Sequence, residues 1–86
     1  MNKYEVRMKA TFYNDGKIVK TLTMIDIVEG QDMTMALKQA SNLVEELVTS
    51  FMDNNGPYQD TYEKILRYIE VDDIDVEVSA IVPYSG

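Results

Sequence analysis

The sequence predicts an α+β fold of element order β-β-α-α-β, a two-layer sandwich in which helices cover one face of a three-stranded, mostly antiparallel sheet. Three observations predict it. Residues 3–13 alternate apolar and polar side chains, residues 33–51 carry an apolar stripe at helical spacing, and residues 74–82 alternate again. The 86 residues, 45% hydrophobic and 27% charged, are expected to form a single domain over 1–86, because one core usually organises about 100 residues.

From Lys3 to Tyr13 the chain places Tyr4, Val6, Met8, Ala10 and Phe12 on one face and Lys3, Glu5, Arg7, Lys9 and Thr11 on the other, the signature of a half-buried strand. Asn14-Asp15-Gly16-Lys17 follows, and an Asp-Gly pair between apolar runs is a hairpin signal because glycine takes positive φ without strain. The second strand, from Lys17 to about Val28, is rich in β-branched residues but less cleanly sorted into two faces. Asp32 then suits the N-cap of a helix about 20 residues and roughly 30 Å long. Its stripe is Met33, Ala36, Leu37, Ala40, Leu43, Val44, Leu47, Val48 and Phe51. Asn54-Asn55-Gly56-Pro57 stops it. A shorter helix is expected to begin at Asp60, with Glu63 completing a capping box, and to end near Glu70, presenting Tyr62, Ile65, Leu66 and Ile69. Ile74, Val76, Val78, Ala80 and Val82 form the inward face of a third strand closed by Pro83.

If the third strand lies antiparallel beside the first, Lys3, Arg7 and Lys9 can meet Asp75 and Glu77. Opposite charges across a ladder contribute about 0.2–1 kcal/mol per pair, which favours strand order 2-1-3 over a third strand paired with the second.

The hairpin register decides what the second strand buries. A three-residue turn with a bulge at Gly16 pairs Phe12 with Ile18 and Val6 with Met24, turning Val19, Ile25 and Ile27 outward. A two-residue turn at Asp15-Gly16 pairs Phe12 with Val19 and Val6 with Ile25, turning Ile18, Leu22 and Met24 outward. Either register leaves large apolar side chains on the face away from the helices unless a mid-strand bulge or a loop covers them. The expectation is self-association through Val19, Leu22, Ile25 and Ile27, most simply as a two-fold homodimer.

Net charge is −7, from 15 acidic and 8 basic residues, and such a surface repels a phosphate backbone, so direct nucleic-acid binding is not expected. The sequence has no His, no Cys and no Trp, which removes the usual base, the thiol nucleophile, the soft metal ligands and any disulfide framework. With no Gly-rich phosphate loop, no nucleophile beside a base and little concavity expected in so small a fold, no enzyme activity is expected. No cofactor is expected either. Asp72, Asp73 and Asp75 offer oxygen ligands for Ca²⁺ or Mg²⁺, but the segment lacks the glycine and the closing glutamate of a chelating loop, and a strand sets alternate residues roughly 7 Å apart. No metal site is expected. Met1 to Arg7 alternates apolar with charged residues, unlike a signal peptide or membrane span, so the expected location is cytoplasmic.

Charge is distributed unevenly. Residues 1–43 hold 6 basic and 5 acidic groups, whereas residues 44–86 hold 2 and 10. Glu70, Asp72, Asp73, Asp75 and Glu77 place five carboxylates within eight positions, with no base among them, a strong local negative potential suited to a basic protein partner. Tyr68 lies beside this run, and Tyr13, Tyr58 and Tyr84 sit at element ends, where phenols bury adaptable area against a partner. Met35 and Met52 fall off the helix stripe. The function expected is a small, acidic, non-enzymatic protein-binding module acting through Glu70, Asp72, Asp73, Asp75, Glu77 and Tyr68. The composition is analogous to that of phage and mobile-element proteins that modulate or inhibit a host factor, including a nucleic-acid-binding one. The alternative is a homo-oligomeric structural protein assembled through the second face or the edge of its sheet.

Overall fold

The structure, a computed structural model, describes residues 2–53, 55–56 and 58–85, and Ile65 by its backbone alone. Asn54 and Pro57 of the expected helix stop, Met1, and the Ile65 side chain of the expected second stripe lie outside the described residues. The elements are β1 (Asn2–Asn14), β2 (Lys17–Gly30), α1 (Met33–Met52), α2 (Gln59–Ile65) and β3 (Asp73–Pro83). The sheet is antiparallel throughout, in order β2-β1-β3, with the helices packed on one face.

β1 is the central strand, and its alternation is realised in full: Tyr4, Val6, Met8, Ala10 and Phe12 are buried. The hairpin turn holds two residues, Asp15 at φ 53° and Gly16 at φ 75°, the left-handed pair whose twist matches that of the flanking strands. Neither register expected from sequence runs the length of the hairpin. Tyr13 pairs with Ile18, then a bulge at Val19 shifts the ladder so that Phe12 pairs with Lys20, Ala10 with Leu22 and Met8 with Met24. The extra residue flips the alternation, so Leu22, Met24 and Val28 pack toward the helices while Ile18, Ile25 and Ile27 stay exposed.

A second bulge, at Ser79, shifts β3 against β1 between Arg7 and Met8, and the Ser79 hydroxyl donates to the Arg7 carbonyl at 3.1 Å. This corrects the simple alternation expected for β3. Ile74 and Val76 are buried, but beyond the bulge Ile81 packs inward while Ala80 and Val82 pair with Arg7 and Glu5 on the outer face.

α1 begins where expected, with the Asp32 carboxylate accepting from the Met35 N–H at 3.0 Å. Ala36 and Ala40 are essentially without solvent exposure, so small side chains let the helix backbone approach the sheet closely. Met33 and Leu37 were expected in the same stripe but are exposed, Leu37 by 53%. Leu37 lies toward one edge of the stripe, whereas Met33 is in line with Phe51 near its centre but is the first residue of the helix, at its exposed end. Met35 and Met52 are exposed, as their positions off the stripe implied.

α2 is shorter than expected and has no capping box. Tyr58 occupies the N-cap with no side-chain bond, Asp60 lies inside the first turn, and the helix ends at Ile65. An N-cap must be extended for its side chain to reach back, and Asp60 is already helical; its charge instead favours the positive end of the helix. Gln59 Nε2 donates to Glu63 Oε1 at 3.3 Å. What anchors α2 is Tyr62. Its ring stands edge-on to Phe12 and Phe51, centroids 6.0 and 5.8 Å away, and Phe12 and Phe51 meet at 6.2 Å. Each such pair contributes about 0.5–1.5 kcal/mol beyond its buried area. The Tyr62 hydroxyl donates to the Leu47 carbonyl at 2.7 Å, tying α2 to α1.

Candidate functional site

The carboxylate run leaves α2 through a turn and enters β3. Glu70, Asp72, Asp73, Asp75 and Glu77 are all exposed. Asp73, Asp75 and Glu77 pair across the ladder with Tyr13, Thr11 and Lys9, so they project together from the outer face of an edge strand, at roughly 7 Å steps. Asp72 plays a different part. Its N–H donates to the Tyr13 carbonyl at 2.9 Å, and its carboxylate accepts from the Asp15 N–H at 3.0 Å, fastening the segment to the hairpin turn. The Asp73 carboxylate accepts from the Ile74 N–H at 2.9 Å. Among the described residues, Asp75 and Glu77 are the two β3 carboxylates with neither a side-chain hydrogen bond nor an ion pair.

Among the described residues the one ion pair is Arg7 to Glu5, Nε to Oε2 2.6 Å. That pair lies along β1, so Arg7 answers its own strand rather than the β3 carboxylates. Lys9 is the cross-strand neighbour of Glu77 without an ion pair to it. Tyr68 is 89% exposed in the turn after α2, with the Arg67 guanidinium 5.6 Å from its ring centre. At so exposed a position this cation–π contact is worth about 0.5–1 kcal/mol. Tyr84 is exposed, while Tyr13 and Tyr58 are half-buried.

The residues expected to self-associate divide. Val19, Ile25 and Ile27 are exposed, Ile25 by 61%, whereas Leu22 packs against the core, turned inward by the β2 bulge. Ile18, at 62% exposure, joins the outward set. On the outer face Ile25 and Ile27 share β1 neighbours Arg7 and Glu5 with Ala80 and Val82 of β3. That end of the face therefore carries apolar side chains on both outer strands with the Arg7–Glu5 ion pair between them, and the opposite end is acidic along β3.

Two features were missed in the sequence. A groove of ≈ 510 Å³ beside the C-terminal half of α1 is lined by Glu45, Glu46 and Asp53 together with Asn42, Thr49 and Ser50. Glu46 and Asp53 stand seven residues apart, two helical turns, and that spacing was the available signal. On the other side Tyr58 faces β2. Its phenol is raised above the ordinary tyrosine range, first by burial and then by the nearby charges of Asp26 and Glu46, with a hydrogen bond to Asp26 adding to the effect. Asp26 also accepts from the Ile27 N–H at 2.8 Å. No spacing rule links residues 26, 46 and 58, which meet only through packing. Among the described residues, no group of three or more acidic side chains is placed to hold a metal ion, and no helix is long and apolar enough to cross a membrane.

Compared with protein-family models, with curated proteins and with solved structures, the chain matches none.

Proposed function

We propose that this chain is a non-enzymatic binding module that recognises a basic protein through the β3 edge, with Asp75 and Glu77 as its principal contacts, Asp73 and Glu70 flanking them, and Tyr68 adding apolar area. The observation that carries the reading is the row Asp73, Asp75 and Glu77, exposed on one side of an edge strand and held in no ion pair among the described residues. A rigid row of like charges steers a complementary surface and fixes its register. Asp72 contributes through shape, because its bonds to Tyr13 and Asp15 hold the segment in place. A modulator that occupies the basic surface of a host protein, including one that binds nucleic acid, is the biological role this chemistry suits, and a cytoplasmic setting goes with it.

The test is capture of basic proteins at low and moderate salt by the wild type and by the double variant D75K/E77K. Loss of capture with an unchanged thermal midpoint is the expected result. Undiminished capture by a folded double variant overturns the reading.

A second reading, a homo-oligomer assembled through β2, is favoured by the exposure of Ile18, Val19, Ile25 and Ile27 on an edge strand. Light scattering over a wide dilution series separates it from the first: a dimer stable to dilution supports it, and a monomer at every concentration removes it.

A further inference from the structure

We infer that the free edge of β2 pairs with β2 of a second copy of this chain, antiparallel, about a two-fold axis through Thr23, joining two three-stranded sheets into one of six strands. The inference rests on the homo-oligomeric reading and gives it a surface, a register and a symmetry.

The order β2-β1-β3 leaves β2 unpaired on one side along its 14 residues, and an unpaired edge offers backbone donors and acceptors to any strand that can reach it. Both outer strands are edges, but only β2 is complementary to itself. β3 carries Asp73, Asp75 and Glu77 and no base, so no register of β3 on its own copy opposes unlike charges. β2 carries Lys17 and Lys20 near one end and Asp26 and Glu29 near the other.

An antiparallel pair about a two-fold axis perpendicular to the sheet keeps both helix layers on the same side and matches inward with inward side chains. With the axis at Thr23, Lys20 opposes the partner's Asp26, a pair that occurs twice, and both members lie on the helix side of the regular stretch of β2. Between them Leu22 meets the partner's Met24, and Thr21 meets the partner's Ile25. Moving the axis to Leu22 sets Lys20 against the partner's Met24, and moving it to Met24 sets Lys20 against the partner's Val28. Of these three positions, only the axis at Thr23 sets each Lys20 against a carboxylate. The stretch from Lys20 to Asp26 lies wholly beyond the Val19 bulge, where β2 runs in regular register with β1, so seven residues on each side can pair without interruption. Val19 comes opposite the partner's Ile27, and both are exposed in the single chain.

The geometry around Asp26 agrees. Its carboxylate lies on the helix side among acidic and phenolic groups, Glu46 and Tyr58, and the described residues bring it no ion-pair partner from its own chain. The partner's Lys20 supplies one.

The test is a charge swap read by light scattering. The wild type is expected to be dimeric. K20E and D26K each set like charges against each other at two places, and two reversed cross-strand pairs raise the dimer dissociation constant roughly thirtyfold. An equimolar mixture of K20E and D26K restores unlike pairs and is expected to form a heterodimer, as is the double variant K20E/D26K with itself. Recovery on mixing cannot come from misfolded chains, which guards against the substitutions acting through stability. A monomeric wild type overturns the inference together with the homo-oligomeric reading. A dimer whose dissociation is indifferent to K20E and D26K overturns the edge and its register alone.

Discussion

Removing one oxygen from Tyr62 tests how α2 is held. The hydroxyl donates to the Leu47 carbonyl at 2.7 Å in a buried setting, and the ring touches Phe12 and Phe51. Y62F keeps both ring contacts and deletes the hydrogen bond, so its cost is that of one buried bond, about 1–1.5 kcal/mol. For a domain of this size that lowers the thermal midpoint by roughly 4–8 °C per kcal/mol. A second signature is independent of the first. Burial, with a smaller contribution from Tyr58, pushes the Tyr62 phenol up from 10.0 to about 12. The folded state therefore keeps a proton that the unfolded state releases. The contribution to stability is complete below pH 10 and is lost as pH rises toward 12, at about 1.4 kcal/mol per pH unit and at most about 2.7 kcal/mol in all. Urea unfolding followed by circular dichroism, at about pH 8 and at about pH 11, reads both effects. Wild type is expected to weaken at the higher pH. Y62F is expected to start weaker and to lose less, with a residual slope from Tyr58, whose phenol is also raised. Equal stability at the lower pH, or an undiminished alkaline loss in the variant, refutes this account of α2.

Substitutions at four further positions check the local arguments by thermal melts. G56A should cost more than G16A: both glycines have positive φ, at 109° and 75°, but a Cβ on Gly56 would meet Ser50 Oγ at 2.7 Å, while one on Gly16 meets nothing within 4 Å. We expect about 1 kcal/mol for G16A and about 2–3 kcal/mol for G56A. D32A removes the N-cap acceptor of α1 and should cost about 1 kcal/mol, with D32N recovering most of it. F12A empties the centre of the three-ring cluster and should cost about 3–5 kcal/mol, enough to leave much of the chain unfolded at room temperature; a folded F12A with a midpoint near wild type would mean that the ring cluster is not the keystone.

The carboxylates of the candidate site were legible because exposure and like charge are properties of composition. Six of the chain's acidic and aromatic residues could be named as a surface from one run of sequence, and the structure leaves all six exposed. Their division of labour was not legible. That Asp72 bonds the hairpin turn at Asp15, 57 positions away, depends on the turn arriving beside it, and no local pattern encodes that meeting.

The amino-acid sequence by itself determined the elements and their order, because alternation, helical stripes, the Asp-Gly turn and the Asp32 cap act over a few residues. The central position of β1 was legible too, although the cross-strand ion pairs that suggested it do not form: Arg7 pairs with Glu5 on its own strand, and Lys9 faces Glu77 without an ion pair. Tertiary structure decided what the outer strands bury. One extra residue at Val19 and one at Ser79 invert every side chain beyond them, and a strand accepts such a bulge when the gain in core packing exceeds the loss of a ladder bond, a balance struck between elements far apart in sequence. The same balance settled where Leu22 points, why α2 stops at Ile65 around the Tyr62 anchor, and how Asp26, Glu46 and Tyr58 come to share one corner of the sheet.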